Sequence, residues 1–168
     1  MFYEIIELEG LSGSECTIYS IVPAGSNLSI FREFIERNKT DFAKEVKDIT
    51  ERLTLIGKGT GARVGFFKEF EGRPGDSVCA LFDLPGKHLR LYCIRFGMTV
   101  IILGGGGPKG KETRNWQDDP MLSQEVTKIM AYADDIGRRL VARDDLRWSK
   151  DYKHLEGDLK NYGKEEME

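Results

Sequence analysis

The chain is poor in the residues around which enzymes most often build a catalytic centre. In 168 residues there are two histidines, His88 and His154, and three cysteines, Cys16, Cys79 and Cys93. No two cysteines have CxxC spacing and the two histidines are far apart, so no metal site is expected. A GxSxG elbow is missing too, and a Ser-His-Asp hydrolase would have to use one of only two histidines. No apolar run approaches the roughly 20 residues that cross a bilayer, and "TVIIL" is far too short. "MFYEIIELEG" lacks a basic segment followed by an apolar one, so no signal peptide is expected and the chain reads as cytoplasmic. Cys79 and Cys93 fall in apolar, strand-like runs, where a thiol serves as a small hydrophobe.

What is present is the composition of a folded globule, 40% hydrophobic and 32% charged. The length suits a single domain over 1–168 with a real core. A net charge of −3 argues against a general nucleic-acid coat. The charge is unevenly spread, however. Residues 87–114 carry Lys87, Arg90, Arg95, Lys109, Lys111 and Arg114 against the single acid Glu112. A basic middle in an acidic chain suits a local anion site, or simply a solvated face.

Periodicity gives the elements. "MFYEIIEL" and "ECTIYSIV" read as a strand pair around the turn-rich "EGLSGS". Ile30, Phe31, Phe34 and Ile35 have helical spacing behind a Ser29 or Asn27 cap, and Phe42, Val46, Ile49 and Leu53 make the stripe of a second helix. "GKGTGAR" reads as a glycine-rich connection. "SVCALFDL", "HLRLYCIR" and "TVIIL" follow at short spacing as an antiparallel meander. Asp119 and Pro120 then open a long helix to about Arg143, with Leu122, Val126, Ile129, Ala133, Ile136 and Leu140 on its inner face. In the polar remainder, Trp148, Tyr152 and Leu155 are candidate anchors before a frayed end.

The oddest stretch is "VIILGGGGPKGKETR", 100–114. It can be threaded onto a phosphate-binding loop from Gly105 through Gly110 to Lys111. Glu112 then stands where a magnesium-binding hydroxyl is required, and the helix opens only at Pro120. A nucleotide cofactor is therefore not expected. The glycines read instead as a bend or bulge at a strand end, which also lets a ligand approach the backbone. In "HLRLYCIR" alternation puts Arg90 and Tyr92 on one face and Leu89, Leu91 and Cys93 on the other. With the apolar set beneath the long helix, Arg90 and Tyr92 are expected to face outward. They form either an ordinary exposed strand face or one suited to RNA phosphates and bases.

A helical hairpin, a glycine-containing connection, "FFKEFEG", then "CALFDLPGKHLRLYCIRFGMTVIILGGGGPKGKE" and a long helix together resemble the RelE/HigB-type toxin superfamily over residues 28–143. The resemblance implies an α+β domain, a helical hairpin and a C-terminal helix packed on a twisted antiparallel sheet. Residues 1–25 would be an added strand pair and 144–168 a polar tail. It further implies a metal-independent endoribonuclease that cleaves messenger RNA on the ribosome, needs no cofactor and is neutralised by a helix-turn-helix antitoxin. By position Arg90, Lys109 and Lys111 match the catalytic groups, with Lys87, Tyr92 and Arg114 as RNA contacts. Trp116 lies near a functional aromatic of some members. Leu81 and Asp83 depart from the basic residues that active members of one branch carry, and the glycines replace an apolar or aromatic residue. These departures support the alternative, a non-catalytic RNA- or protein-binding domain on the same fold. On the ribonuclease reading, Arg90→Ala abolishes cleavage, followed as new messenger RNA ends, and leaves the fold intact.

Overall fold

The N-terminal strand β1 (Tyr3–Glu7) pairs antiparallel with β2 (Thr17–Pro23), and β2 then runs parallel beside the last strand of the meander. A computed structural model describes residues 1–68, 77–82, 86–109, 119–143 and 145–161. Two helices follow, α1 (Ile30–Asn38) and α2 (Ala43–Leu55). Ser29 caps α1 by accepting a hydrogen bond from Arg32 N at 3.0 Å. β3 (Phe67–Lys68), β4 (Val78–Leu81), β5 (Leu89–Phe96) and β6 (Val100–Pro108) lead to α3 (Pro120–Ala142). A small hairpin of β7 (Leu146–Trp148) and β8 (Leu155–Gly157) comes next, then β9 (Lys160–Asn161). The main sheet has the order β3-β4-β5-β6-β2-β1-β9, and β2–β6 is its parallel pair. This is an α+β fold. The strand pair expected as an addition at 1–25 is an integral part of the sheet, and β9 closes its edge against β1.

Both faces of the sheet are covered. Phe31, Phe34, Val46, Ile49 and Leu53 of the α1–α2 pair pack on Cys79, Leu89, Leu91, Cys93, Ile101 and Leu103. On the other face, Leu122, Val126, Ile129, Ala133, Ile136 and Leu140 of α3 pack on Val78, Ala80, Tyr92, Ile94, Val100 and Ile102. All six stripe positions read from the sequence are buried. Burying each large aliphatic side chain contributes about 1.5–3 kcal/mol. Asp119 accepts from Met121 N and Leu122 N at the helix start, and Arg143, in the left-handed conformation, ends it.

"GKGTGAR" is ordered rather than a loose connection. Ile56–Thr60 continue α2 as a π-helical turn, and the Gly57 carbonyl accepts from Glu15 N and Cys16 N. The C-terminal part is anchored by Leu146 and Leu155, both buried, and by Trp148 edge-on to Phe96 at 5.2 Å. Tyr152, a candidate anchor, is instead 63% exposed. The Tyr3 hydroxyl, on β1, donates to Asp135 on α3 at 2.6 Å and accepts from Arg139 at 3.1 Å. Burial, with Asp135 beside it, pushes that hydroxyl above the usual tyrosine range. Asp135 therefore belongs to a tertiary contact and not to a merely solvated helix face.

β6 does not end at its glycines but runs through all four. None of Gly104 to Gly107 has a positive φ, so conformational freedom is not why they are glycine. The reason is space. A Cβ at Gly106 would lie 1.8 Å from the Arg90 carbonyl oxygen, and one at Gly104 would lie 2.9 Å from Ile129 Cδ1. At Gly107 it would meet Met121 Sδ at 2.6 Å. Gly106→Ala is expected to destabilise the fold by about 3 kcal/mol in urea unfolding, because backbone has to move. Gly137→Ala, on α3 with open space around its Cα, is expected to gain about 0.5–1 kcal/mol in the same assay.

Candidate functional site

The β5–β6 ladder decides where the basic residues go. Leu89 pairs with Pro108, Arg90 with Gly107 and Leu91 with Gly106; the register then shifts so that Cys93 pairs with Leu103. Tyr92 thus faces two residues, Gly104 and Gly105, across a β-bulge. The bulge expected from the sequence is present, inside the strand rather than at its end.

The outward placement of Arg90 and Tyr92 is corrected by this geometry. Leu89, Leu91 and Cys93 face the α1–α2 pair, whereas Tyr92 faces α3. Alternation puts Arg90 on that same face, and the two residues are 4% and 0% exposed. The physical reason is the three-layer arrangement: each set of alternating side chains has a helical layer over it. No open sheet face exists at these positions.

Lys87 and Lys109 lie at the same end of the sheet. Lys109 N donates to the His88 carbonyl at 2.7 Å, which holds both lysines, half-buried, at the end of the sheet where β5 begins and β6 finishes. Glu45 of α2 braces that end. Its Oε1 accepts from His88 N at 2.5 Å and Leu89 N at 3.1 Å, while its Oε2 lies 3.1 Å from His88 Nδ1. The His88 ring also packs on Phe42, at 5.5 Å between centroids. Partial burial disfavours the Glu45 charge, but these bonds outweigh it and hold the carboxyl below its usual range. Lys111, Arg114, Trp116 and Asp83 lie outside the described residues.

A second feature was not foreseen. Between α1 and α3, above the bare backbone of Gly105 and Gly106, lies a cavity of about 280 Å³. The Glu125 side chain, 6% exposed, stands in its wall, with Lys128 Nζ at 3.4 Å and Arg37 Nη1 at 3.8 Å. Arg37 also pairs with Glu33 at 2.5 Å, so the lining balances two acids with two bases. A Cβ at Gly105 would lie 2.7 Å from Glu125 Oε2, so the glycine makes room for this carboxylate. In sequence Glu125 looks like one more acid in the first turns of a helix, and only its i+4 spacing to Met121 and Ile129 hints that it lies over the sheet.

The three thiols are enclosed in the core. Cys16, Cys79 and Cys93 are buried and free, and Cys79 and Cys93 touch across β4–β5 with 3.5 Å between sulfurs. Burial pushes the Cys16 thiol up to about 12. Its hydrogen bond with Cys79 and burial raise Cys93 well above the ordinary value. A thiol protonated at neutral pH is a poor nucleophile. Among the described residues no three His, Cys, Asp or Glu side chains converge as metal ligands, and no helix is long and apolar enough to cross a membrane.

Comparison with protein-family models, curated proteins and solved structures finds no match to this chain. Among the described residues this sheet end offers two lysines, of the kind that meet phosphate oxygens, beside His88 and the Glu45 carboxylate hydrogen-bonded to it.

Glu45→Gln is expected to destabilise the protein by about 1 kcal/mol at pH 7. Since the folded pKa is depressed, this contribution is present above the unfolded carboxylate value and lost as pH falls through the folded one. Wild type and variant should converge in urea unfolding once the pH is below the folded value.

Proposed function

We propose that the protein is a toxin-like domain of the RelE/HigB structural type that engages RNA at the basic end of its sheet. The observation that carries this reading is the hydrogen bond from Lys109 N to the His88 carbonyl, which puts Lys87 and Lys109 at the same end of the sheet. Lys111 and Arg114 follow in sequence, and lysines at one sheet end suit phosphate oxygens. In this reading the protein works in the cytoplasm, and its natural partners are ribosome-bound messenger RNA and a helix-turn-helix antitoxin protein. Catalysis, where it occurs, relies on Lys109 and Lys111 stabilising charge at the scissile phosphate, without metal or cofactor.

The second reading, a non-catalytic RNA-binding domain on the same fold, is favoured by one observation: Arg90 and Tyr92 are enclosed beneath α3, where neither meets a phosphate or stacks on a base. Inducing the full chain in bacterial cells separates the two. Growth arrest with new messenger RNA ends, relieved by Lys87→Glu with Lys109→Glu, is expected of the ribonuclease. RNA retention on the purified protein without new ends, weakened in the same double variant, is expected of the binder. Soluble protein that neither slows growth nor retains RNA overturns both.

A further inference from the structure

The C-terminal part of α3 and the β7–β8 hairpin enclose an open groove of about 870 Å³ at the other end of the sheet from Lys87 and Lys109. Its lining includes Arg143, Arg147, Lys150, Trp148, Tyr152 and one carboxylate, Glu156. Arg143, Arg147 and Lys150 make no ion pair among the described residues, whereas most charged side chains of α1 and α2 are paired along their helices. Glu156 sits opposite Arg147 in the β7–β8 ladder, which leaves the groove with an excess of positive charge.

Of the two aromatic side chains, Tyr152 is largely exposed and Trp148 partly so. Trp148 packs on the core with its edge against Phe96 and is partly buried, and its ring centre is 6.3 Å from that of Tyr152. Tyr152 has a φ of +59, a conformation that a bulky residue adopts only when its surroundings enforce it. Those surroundings are specific. Ser149 Oγ donates to Asp151 at 2.7 Å and accepts from His154 N at 3.0 Å; Tyr152 N donates to the Ser149 carbonyl; and the Tyr152 carbonyl accepts from Thr99 Oγ1 at 2.6 Å. The loop is thus held in one shape before anything binds, which lowers the ordering cost of binding.

We propose that this groove binds single-stranded RNA, with Trp148 and Tyr152 stacking bases and Arg143, Arg147 and Lys150 meeting phosphates. Cations satisfy any polyanion, but a largely exposed ring beside a partly exposed one, flanked by cations, is the recognition chemistry of unpaired bases. An acidic peptide would use the charges and leave the rings idle. The proposal deepens the RNA reading above and rests on it for the choice of polyanion, yet it involves none of the same residues.

The test uses the full chain with Trp116→Phe, so that Trp148 is the single tryptophan, titrated with a mixed-sequence single-stranded oligoribonucleotide of about ten nucleotides. Saturable quenching of Trp148 is expected, with a log–log salt slope near −2 for about three phosphate contacts. Arg147→Glu with Lys150→Glu should weaken binding at least tenfold, and Tyr152→Ala about five- to tenfold, with circular dichroism unchanged. Lys87→Glu with Lys109→Glu should leave the quenching in place, which separates this groove from the other end of the sheet. Absent quenching, quenching unaffected by the charge reversal, or an equal response to polyglutamate overturns the proposal.

Discussion

The arrangement depends on one close approach, that of α3 to a strand segment with no side chains. Met121, Glu125 and Ile129, four residues apart, lie over Gly107, Gly105 and Gly104 at distances that any Cβ would violate. Elsewhere helix and sheet are separated by a layer of interdigitated side chains. Here that layer comes from the helix alone, so the first half of α3 settles deep against β6. From that seat follow the enclosure of Tyr92, the burial of Glu125 and the cavity left between α1 and α3. The β-bulge at Gly104 and Gly105 serves the same end by adjusting the strand's register beneath the helix.

The far half of α3 is secured differently, through polar groups. Asp135 and Arg139 bracket the Tyr3 hydroxyl, Arg139 reaches Asp145 at 3.4 Å and the Asp158 carbonyl at 2.5 Å, and β1 and the chain beyond the helix are thereby tied to one side of it. Apolar contact without intervening side chains at one end and a partly buried hydrogen-bond cluster at the other hold the same helix. The basic sheet end and the aromatic groove lie near opposite ends of β5, an eight-residue strand, hence roughly 25 Å apart. Each is fixed by its own local brace, Glu45 for the first and Ser149 with Asp151 for the second.

Elements were legible where a periodic stripe carried its own caps. Asp119, Pro120 and the run from Leu122 to Leu140 placed α3 almost to the residue, because burial of one helical face leaves a repeat that nothing else produces. Faces were not legible. Alternation in "HLRLYCIR" separates Arg90 from Leu89 and Leu91 but does not say which set is covered, and here both are. A signal for this did exist: "VCAL" and "VIIL" are apolar at every position, the pattern of strands buried on both sides. Glu125 and Asp135 were illegible for another reason. Each is an acid on a helix rich in charge, and only the tertiary approach of Gly105 and Tyr3 distinguishes them from their neighbours.

The parallel pairing of β2 with β6 sets the order in which this chain becomes a protein. Ser20 Oγ donates to the Leu103 carbonyl across a separation of 83 positions, and until β6 is made one edge of β2 has nothing to pair with. A growing chain therefore carries the β1–β2 hairpin with an unpaired, strongly apolar edge for several seconds of synthesis. Closing so long a loop is slow compared with forming either helix of the α1–α2 pair. The two halves of the sheet are consequently joined at its centre only once the glycine strand is made, and β9 closes the rim after it.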